Sequence, residues 1–185
     1  MIDVNQLRKG TTFTQNGELF KVLQFAHHKP GRGKATIRVT IRNLRSGATT
    51  EKTFNSGERV QDVRLDAVEV EYLYEYGEFL TFLDLESYDQ PQVLRSVFGT
   101  DALYLKENNT LKLIRHEGEI LDYELPISVD LEVTAAEAAV AGDTANSPSK
   151  KVTCETGLVV TVPLFVNVGD TLRVKTEDAS YMTRV

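Results

Sequence analysis

The sequence predicts an all-β protein assembled from three small modules. Short runs rich in Val, Ile, Phe, Tyr and Thr alternate apolar with polar residues, and Gly, Asn and Asp turns interrupt them at roughly the 8–12-residue spacing of all-β modules. Few segments carry the 3.6-residue periodicity of a helix. With 185 residues, 41% of them hydrophobic, the chain has the apolar content to fold and the length for one to three small domains. The expected boundaries are 1–64, 65–127 and 128–185. A module of roughly 60 residues buries only about 60% of its unfolded surface, so contacts between modules are expected to help hold them.

In the first module, Glu18 to Phe25 and Ala35 to Leu44 read as two strands. The second alternates Ile37, Val39 and Ile41 with Thr36, Arg38, Thr40 and Arg42, so its apolar side can face a core while Arg38 and Arg42 share the opposite side. Leu44 to Thr53 turns at Ser46-Gly47 into a further polar strand. The middle module opens on Val68, Val70, Tyr72, Tyr74 and Tyr76, alternating with Glu69, Glu71, Leu73 and Glu75. Gly77 then turns the chain into Phe79 to Leu85, which gives a hairpin with an acidic face. In the last module, Ser128 to Thr134, Val152 to Thr156, Leu158 to Val168 and Thr171 to Lys175 are strand-like. The small-residue stretch Ala135 to Lys150 reads as a surface loop. This pattern suits an OB-type barrel, a fold whose grooves often hold oligonucleotides.

The net charge of −6 is spread unevenly: +7 over residues 1–64, −10 over 65–127 and −3 over 128–185. A basic first third joined to an acidic middle suggests one end built to meet phosphates and a middle that discourages indiscriminate sticking to them. Two unrelated surface biases are the plainer alternative. The apolar run Leu158 to Val168 is interrupted by Thr161, Pro163 and Asn167 and falls far short of the roughly 18 residues a spanning helix needs. The N-terminal MIDVNQLRKG lacks the apolar core of a secretory signal, so a cytoplasmic location without membrane contact is expected. The single cysteine, Cys154, has no disulfide partner in the chain, which fits a reducing compartment.

Between the two strands of the first module lies His27-His28-Lys29-Pro30-Gly31-Arg32-Gly33-Lys34. Pro30-Gly31 fits the central positions of a type II turn, so the loop should project, with Arg32 between two glycines at its apex. A long basic tip can reach a phosphate or a base that a globular body cannot, and Gly31 and Gly33 permit close backbone approach. By itself the loop reads first as a solvated turn whose charges keep an exposed hairpin soluble.

The residues carry a resemblance that changes this weighing. Lys29-Pro30-Gly31-Arg32-Gly33-Lys34-Ala35 is similar to the domain-one tip of the elongation factor P family, Lys-Pro-Gly-(Lys or Arg)-Gly-any-Ala. Similar family patterns recur at Arg42-Asn43-Leu44 with Ser46-Gly47, at Lys52-Thr53-Phe54-Asn55-Ser56-Gly57-Glu58, and at Tyr72-Leu73-Tyr74 with Phe82-Leu83-Asp84. They continue at Glu124-Leu125-Pro126, Gly142-Asp143-Thr144-Ala145, Glu155-Thr156-Gly157-Leu158, Val162-Pro163-Leu164-Phe165-Val166 and Tyr181 to Arg184. The resemblance thus spans the chain in order. It implies an SH3-like (KOW-type) first domain and two OB-fold domains in an L-shaped arrangement that mimics a tRNA. It further implies a monomeric factor that binds the 70S ribosome between the peptidyl and exit sites and contacts peptidyl-tRNA and rRNA. In this family the tip, matched by Lys29, Pro30, Gly31, Arg32, Gly33 and Lys34, approaches the CCA end of the peptidyl-tRNA and favours peptide bonds between poor substrates such as consecutive prolines. Such help is catalysis by orientation, so no catalytic residue, metal or cofactor is expected of the factor itself. The loop matched by Gly142, Asp143 and Thr144 lies near the exit-site codon and its tRNA, and the tail matched by Tyr181 and Arg184 lies near small-subunit rRNA. Taken alone, Gly142 to Thr144 reads as a structural turn and Tyr181 as half-buried packing.

The sequence departs from the family at three points. An apical lysine that accepts a β-lysyl extension is replaced by Arg32, which excludes that modification there. The branch with a rhamnosylated arginine usually reads Gly-Arg-Asn or Gly-Arg-Ser, whereas this loop reads Gly-Arg-Gly, so an unmodified Arg32 is expected, with rhamnose as the alternative and Lys34 as a minor candidate for modification. In the last domain Ala138-Ala139, Lys150-Lys151-Val152 and Asp178-Ala179-Ser180-Tyr181 replace the usual Pro-Gly, Lys-Pro-Ala and Thr-Gly-Glu-Tyr, which leaves the fine placement of its loops open. Enzyme readings fare poorly. Gly33-Lys34 is followed by Ala35 where a phosphate-binding loop needs Ser or Thr, and adjacent His27 and His28 point to opposite sides of a strand without a zinc-like spacing. Glu69 and Glu71 share a strand face and read as solvated carboxylates. The alternatives are a general OB/SH3-type RNA-binding or chaperone-like module with a dispensable tip, and a hydrolase using His28 with an acidic partner.

Overall fold

The computed structural model describes residues 1–28, 35–138 and 148–185. Among them the chain is all-β, in three sheets. The first comprises β1 (Ile2–Asp3), β2 (Thr12–Gln15), β3 (Glu18–His28), β4 (Thr36–Asn43), β5 (Thr49–Asn55) and β6 (Arg59–Asp62), in the order β1-β6-β2-β3-β4-β5. Asn16-Gly17, both at positive φ (54° and 80°), forms the two-residue β2–β3 turn whose twist matches that of the strands it joins. The alternation of β4 is realised: Ile37, Val39 and Ile41 are buried and Arg38 is exposed. Their side of the sheet shares a core with Phe13, whose ring lies 5.6 Å from that of Phe20 and 6.2 Å, edge-on, from that of Phe54.

β3 runs past the expected end at Phe25 because β4 continues to pair with it, through Phe25↔Val39 and His27↔Ile37 to His28↔Thr36. Leu23 is an extra residue between the pairs Val22↔Ile41 and Gln24↔Thr40. This bulge resets the alternation, so Phe25 and His27 lie on the face of Ile37, and His28 lies on the face of Arg38.

The second sheet comprises β7 (Asp66–Tyr76), β8 (Phe79–Asp84), β9 (Gln92–Leu94), β10 (Thr110–His116) and β11 (Glu119–Glu124), in the order β11-β10-β7-β8-β9. The expected β7–β8 hairpin forms, but its tyrosines do not share one face. Tyr72 pairs with Phe82 and Tyr74 with Thr81, so Leu73 is a bulge. Tyr72 is buried, whereas Tyr74 and Tyr76 are turned to the other face and exposed. A four-residue helix, α1 (Arg95–Phe98), and a 3-10 segment (Gly99–Tyr104) follow β9; neither is long enough to print a period in the sequence. α1 places Phe98 between Phe82 and Tyr123, with ring centroids at 5.6 and 4.1 Å.

The third sheet comprises β12 (Ser128–Ala136), β13 (Ser149–Cys154), β14 (Val159–Pro163), β15 (Thr171–Lys175) and β16 (Tyr181–Arg184), in the order β14-β13-β12-β15-β16. The apolar run Leu158 to Val168 is strand only as far as Pro163 and then turns to bury Val166. Leu131, Val133, Val160 and Leu172 centre the core of this sheet, and Leu103, Tyr104 and Leu125 pack against it. Cys154 belongs to the same core, where burial pushes its thiol up.

The chain divides into two compact units, Met1–Ala67 with Ile114–Asp122, and Val68–Leu113 with Tyr123–Val185. Among the described residues no helix is long and apolar enough to cross a membrane.

Candidate functional site

In the first unit the β3–β4 ribbon is the element that leads into the candidate tip. Its last pair is His28↔Thr36, and Lys29, Pro30, Gly31, Arg32, Gly33 and Lys34 lie outside the described residues. Cross-strand register puts Lys21, Arg38 and Arg42 on one face of this ribbon, through Lys21↔Arg42 and Ala26↔Arg38. The expected basic face is therefore present, but much of its charge is engaged. Lys21 Nζ lies 2.6 Å from Asp122 Oδ2, Arg38 Nε 2.9 Å from Glu51 Oε1, and Arg45 Nε 3.4 Å from Glu119 Oε2. Asp122 is buried and Lys21 only part-buried, so this pair is the one least screened by water.

Leu19, Leu44 and Leu121, with Val63 and Leu65 against them, form an apolar seam beside these pairs. The unequal charges of the first two thirds thus have an internal use within this unit, which the sequence reading missed. The signal was the opposite sign of adjacent thirds, read there only as a surface property. His27 and His28 sit on opposite faces, as strand geometry requires. Among the described residues no group of three or more His, Cys, Asp or Glu could hold a metal ion.

In the second unit, Gly142, Asp143 and Thr144 lie outside the described residues. Tyr181 and Arg184 lie at the two ends of β16, the edge strand that pairs with β15 through Val174↔Tyr181 and Leu172↔Arg184. Tyr181 packs against the third core and lines an open groove of about 530 Å³ with Ser149, Thr161, Pro163 and Asp178. The Arg184 guanidinium stacks over Phe165, 5.5 Å from its ring centroid, and Nη1 lies 3.4 Å from Asp170 Oδ2. The Asn167 N–H, at 2.8 Å, and then the Arg184 cation hold the Asp170 carboxyl below the usual carboxylate range. Phe165, which lies in a matched motif that gives no link to Arg184, and Asp170, which lies in none, are thus members of the Arg184 site. No spacing rule links positions 165, 170 and 184, because a turn and a strand pairing bring them together.

The geometry supplies a basic ribbon in the first unit and a stacked, ion-paired arginine in the second. Comparison with known proteins decides the family. The model for the elongation factor P (EF-P) KOW-like domain matches residues 3–60, that for the elongation factor P (EF-P) OB domain residues 65–123, and that for the elongation factor P C-terminal domain residues 129–184. An elongation factor P from Pelotomaculum thermopropionicum is 43% identical over 185 residues, the full length of both chains. The chain belongs to the elongation factor P family. Membership makes it a translation factor, with a KOW-like domain, an OB domain and a C-terminal β domain as the sequence predicts. A solved structure described as eukaryotic translation initiation factor 5A from Methanococcus jannaschii shares the fold, with a TM-score of 0.51 and 19% identity over 66% of this chain and 89% of that one. The tip motif lies within the KOW-like match, and Tyr181 and Arg184 lie at the end of the C-terminal match.

Proposed function

We propose that this elongation factor P family member binds the 70S ribosome between the peptidyl and exit sites, holds the CCA end of the peptidyl-tRNA and speeds peptide bond formation, above all at consecutive prolines. The observation that carries this reading is the β3–β4 ladder, which runs to His28↔Thr36, the pair that flanks the Lys29 to Lys34 motif in the sequence. A paired ribbon can carry a basic apex beyond a globular body and limit its orientational freedom. Catalysis is then by orientation of a substrate whose chemistry the ribosome performs, and the factor acts as an accessory without a catalytic residue, metal or cofactor.

In this reading an unmodified Arg32 meets RNA. Its guanidinium is always charged, offers five donors and presents a stacking plane. Gly142, Asp143 and Thr144 serve the exit-site codon and its tRNA, where short polar groups can read exposed base edges. Tyr181 and Arg184 serve rRNA, the tyrosine by stacking and the arginine by pairing with phosphate. The factor works as a monomer in the cytoplasm. Reconstituted translation of a message encoding consecutive prolines, with a proline-free message as control, tests it. Protein purified from its native host rescues only the proline message, and Arg32→Ala does not. Ribosome binding without rescue would instead leave a general RNA-binding module.

A further inference from the structure

The segment Asp3–Arg8 reaches both strands of the ribbon that leads into residues 29–34, and the function proposed above makes no use of those contacts. On the β4 side, the last β4–β5 pair is Thr36↔Asn55, and one residue beyond it the Ser56 N–H donates to the Ala35 carbonyl at 2.9 Å. The turn that presents Ser56 is closed on itself. Glu58 Oε1 accepts from the Asn55 N–H (3.1 Å) and from Asn55 Nδ2 (2.6 Å), and the Glu58 N–H donates to the Asn55 carbonyl (3.1 Å). Gly57, at φ 92°, supplies the left-handed step the turn needs. Asn5 ties this turn down: its Nδ2 donates to Ser56 Oγ (3.2 Å) and its Oδ1 accepts from the Ser56 hydroxyl (3.3 Å). The neighbouring Val4 N–H donates to the Glu58 carbonyl at 2.9 Å. Asp3 Oδ1 orients Asn5 in turn, accepting from its N–H (2.8 Å) and its Nδ2 (2.6 Å).

On the β3 side, the Arg8 guanidinium lies over Phe25, 5.1 Å from the ring centroid. Its Nη1 donates to the carbonyls of Asn5 (2.9 Å) and Leu7 (2.7 Å), so the cation is fastened to the chain behind it. Phe25 lies beyond the β2–β3 pairing, which ends at Thr12↔Lys21. One short segment therefore supports β3 through Arg8 and β4 through Asn5 and Ser56.

Beyond Lys21, β3 is an edge strand, and the β5 strand on the far side of β4 ends at Asn55. Sheet ends twist readily, so the direction in which this end delivers the following residues depends on what supports its two edges. We propose that Asn5, Arg8, Ser56 and Glu58 are positioning residues for the 29–34 segment. This inference rests on that segment acting at the CCA end, as proposed above. None of the four touches a reacting group. They act through the ribbon, and because a misplacement of about 1 Å can cost on the order of 100-fold in rate, their loss lowers rate rather than affinity. Arg8, a basic residue at the edge of a basic module, is on this account a support and not a phosphate contact.

Full-length Asn5→Ala, Arg8→Ala and Arg8→Lys, with wild type and Arg32→Ala as controls, are titrated onto ribosomes stalled at consecutive prolines. For the two alanine variants the saturated rate falls about fivefold or more while the half-saturating concentration stays within about twofold of wild type. Arg8→Lys, which keeps a cation over Phe25, recovers part of the rate. A raised half-saturating concentration at unchanged saturated rate would make Arg8 a ribosome contact and overturn the inference, as would wild-type behaviour throughout.

Amide hydrogen exchange on the free proteins gives an independent reading. The Ser56 amide and those of residues 26–28 exchange about tenfold faster in the alanine variants, and unchanged protection in a folded variant overturns the support even if rates fall. Should wild type fail to rescue, or Arg32→Ala match it, the proposed function is at fault, and exchange alone decides whether the support exists.

Discussion

The β3–β4 ribbon and the β15–β16 pair both carry candidate RNA contacts, yet their side chains stand in different relations to the fold. Along β3–β4, the β3 residues nearest the tip, Ala26, His27 and His28, are exposed, Ala35 and Thr36 are half-buried, and the buried core ends at Ile37. Along β15–β16, Leu172 and Val174 are fully buried, Tyr181 packs on their core, and Arg184 is held by Phe165 and Asp170. The first ribbon ends beyond its core, so residue types at that end are free to follow function. The second uses its candidates in the fold before any partner arrives. The same residue type, an arginine, is therefore informative at position 32 as a sequence motif and ambiguous at position 184 until its neighbours are known.

The largest expected effects test whether the two ribbons share the same kind of base. Ile37 and Leu172 are both fully buried, and Ile37→Ala and Leu172→Ala should each cost about 2–5 kcal/mol in urea unfolding. A cost below about 1 kcal/mol for Ile37→Ala would mean that the first ribbon is not anchored in its core. Next in size is Lys21→Ala, which leaves the buried Asp122 carboxylate without the partner at 2.6 Å and should cost about 1–3 kcal/mol. An unchanged urea midpoint for that variant would return Lys21 to the solvent-facing basic surface.

Much of this difference could not be read from the sequence. The period-two alternation of Ile37, Val39 and Ile41 fixed which side of β4 is buried, and the Gly77 turn fixed the β7–β8 hairpin, because both signals are local. The bulges at Leu23 and Leu73 were invisible, since each depends on how many residues the partner strand offers. Tyr74 and Tyr76 consequently continue an apolar alternation in the sequence but lie on the opposite face in the fold. The pairs Lys21–Asp122 and Arg184–Asp170 were likewise out of reach, because each joins positions that only the tertiary fold brings together.

Smaller effects separate the charges of the second unit. Asp170→Asn removes the carboxylate at 3.4 Å from Arg184, so affinity for ribosomes at low salt should rise about twofold; a fall would mean that Asp170 orients Arg184 usefully rather than competing for it. The smallest effect is on acid stability. Arg173, bonded to Asp130 through Nε and Nη2 at 2.8 Å each, holds the Asp130 carboxyl below its ordinary value. A carboxyl depressed in the folded state adds stability that is complete above its unfolded pKa and is lost as pH falls through the lower folded one. Asp130→Asn should therefore be modestly less stable than wild type near neutrality, with a flatter loss of stability below about pH 4 so that the two proteins converge in acid, as urea midpoints across pH would report.

The central claim is that residues 29–34 meet the CCA end of the peptidyl-tRNA, and a crosslink from the apex tests it most directly. Cys154 is only 1% exposed, so a thiol-directed photocrosslinker on Arg32→Cys will be selective for position 32. On ribosomes stalled at consecutive prolines, the account predicts crosslinks to the 3′-terminal nucleotides of the peptidyl-tRNA. Crosslinks confined to ribosomal protein or to rRNA distant from that end would contradict it.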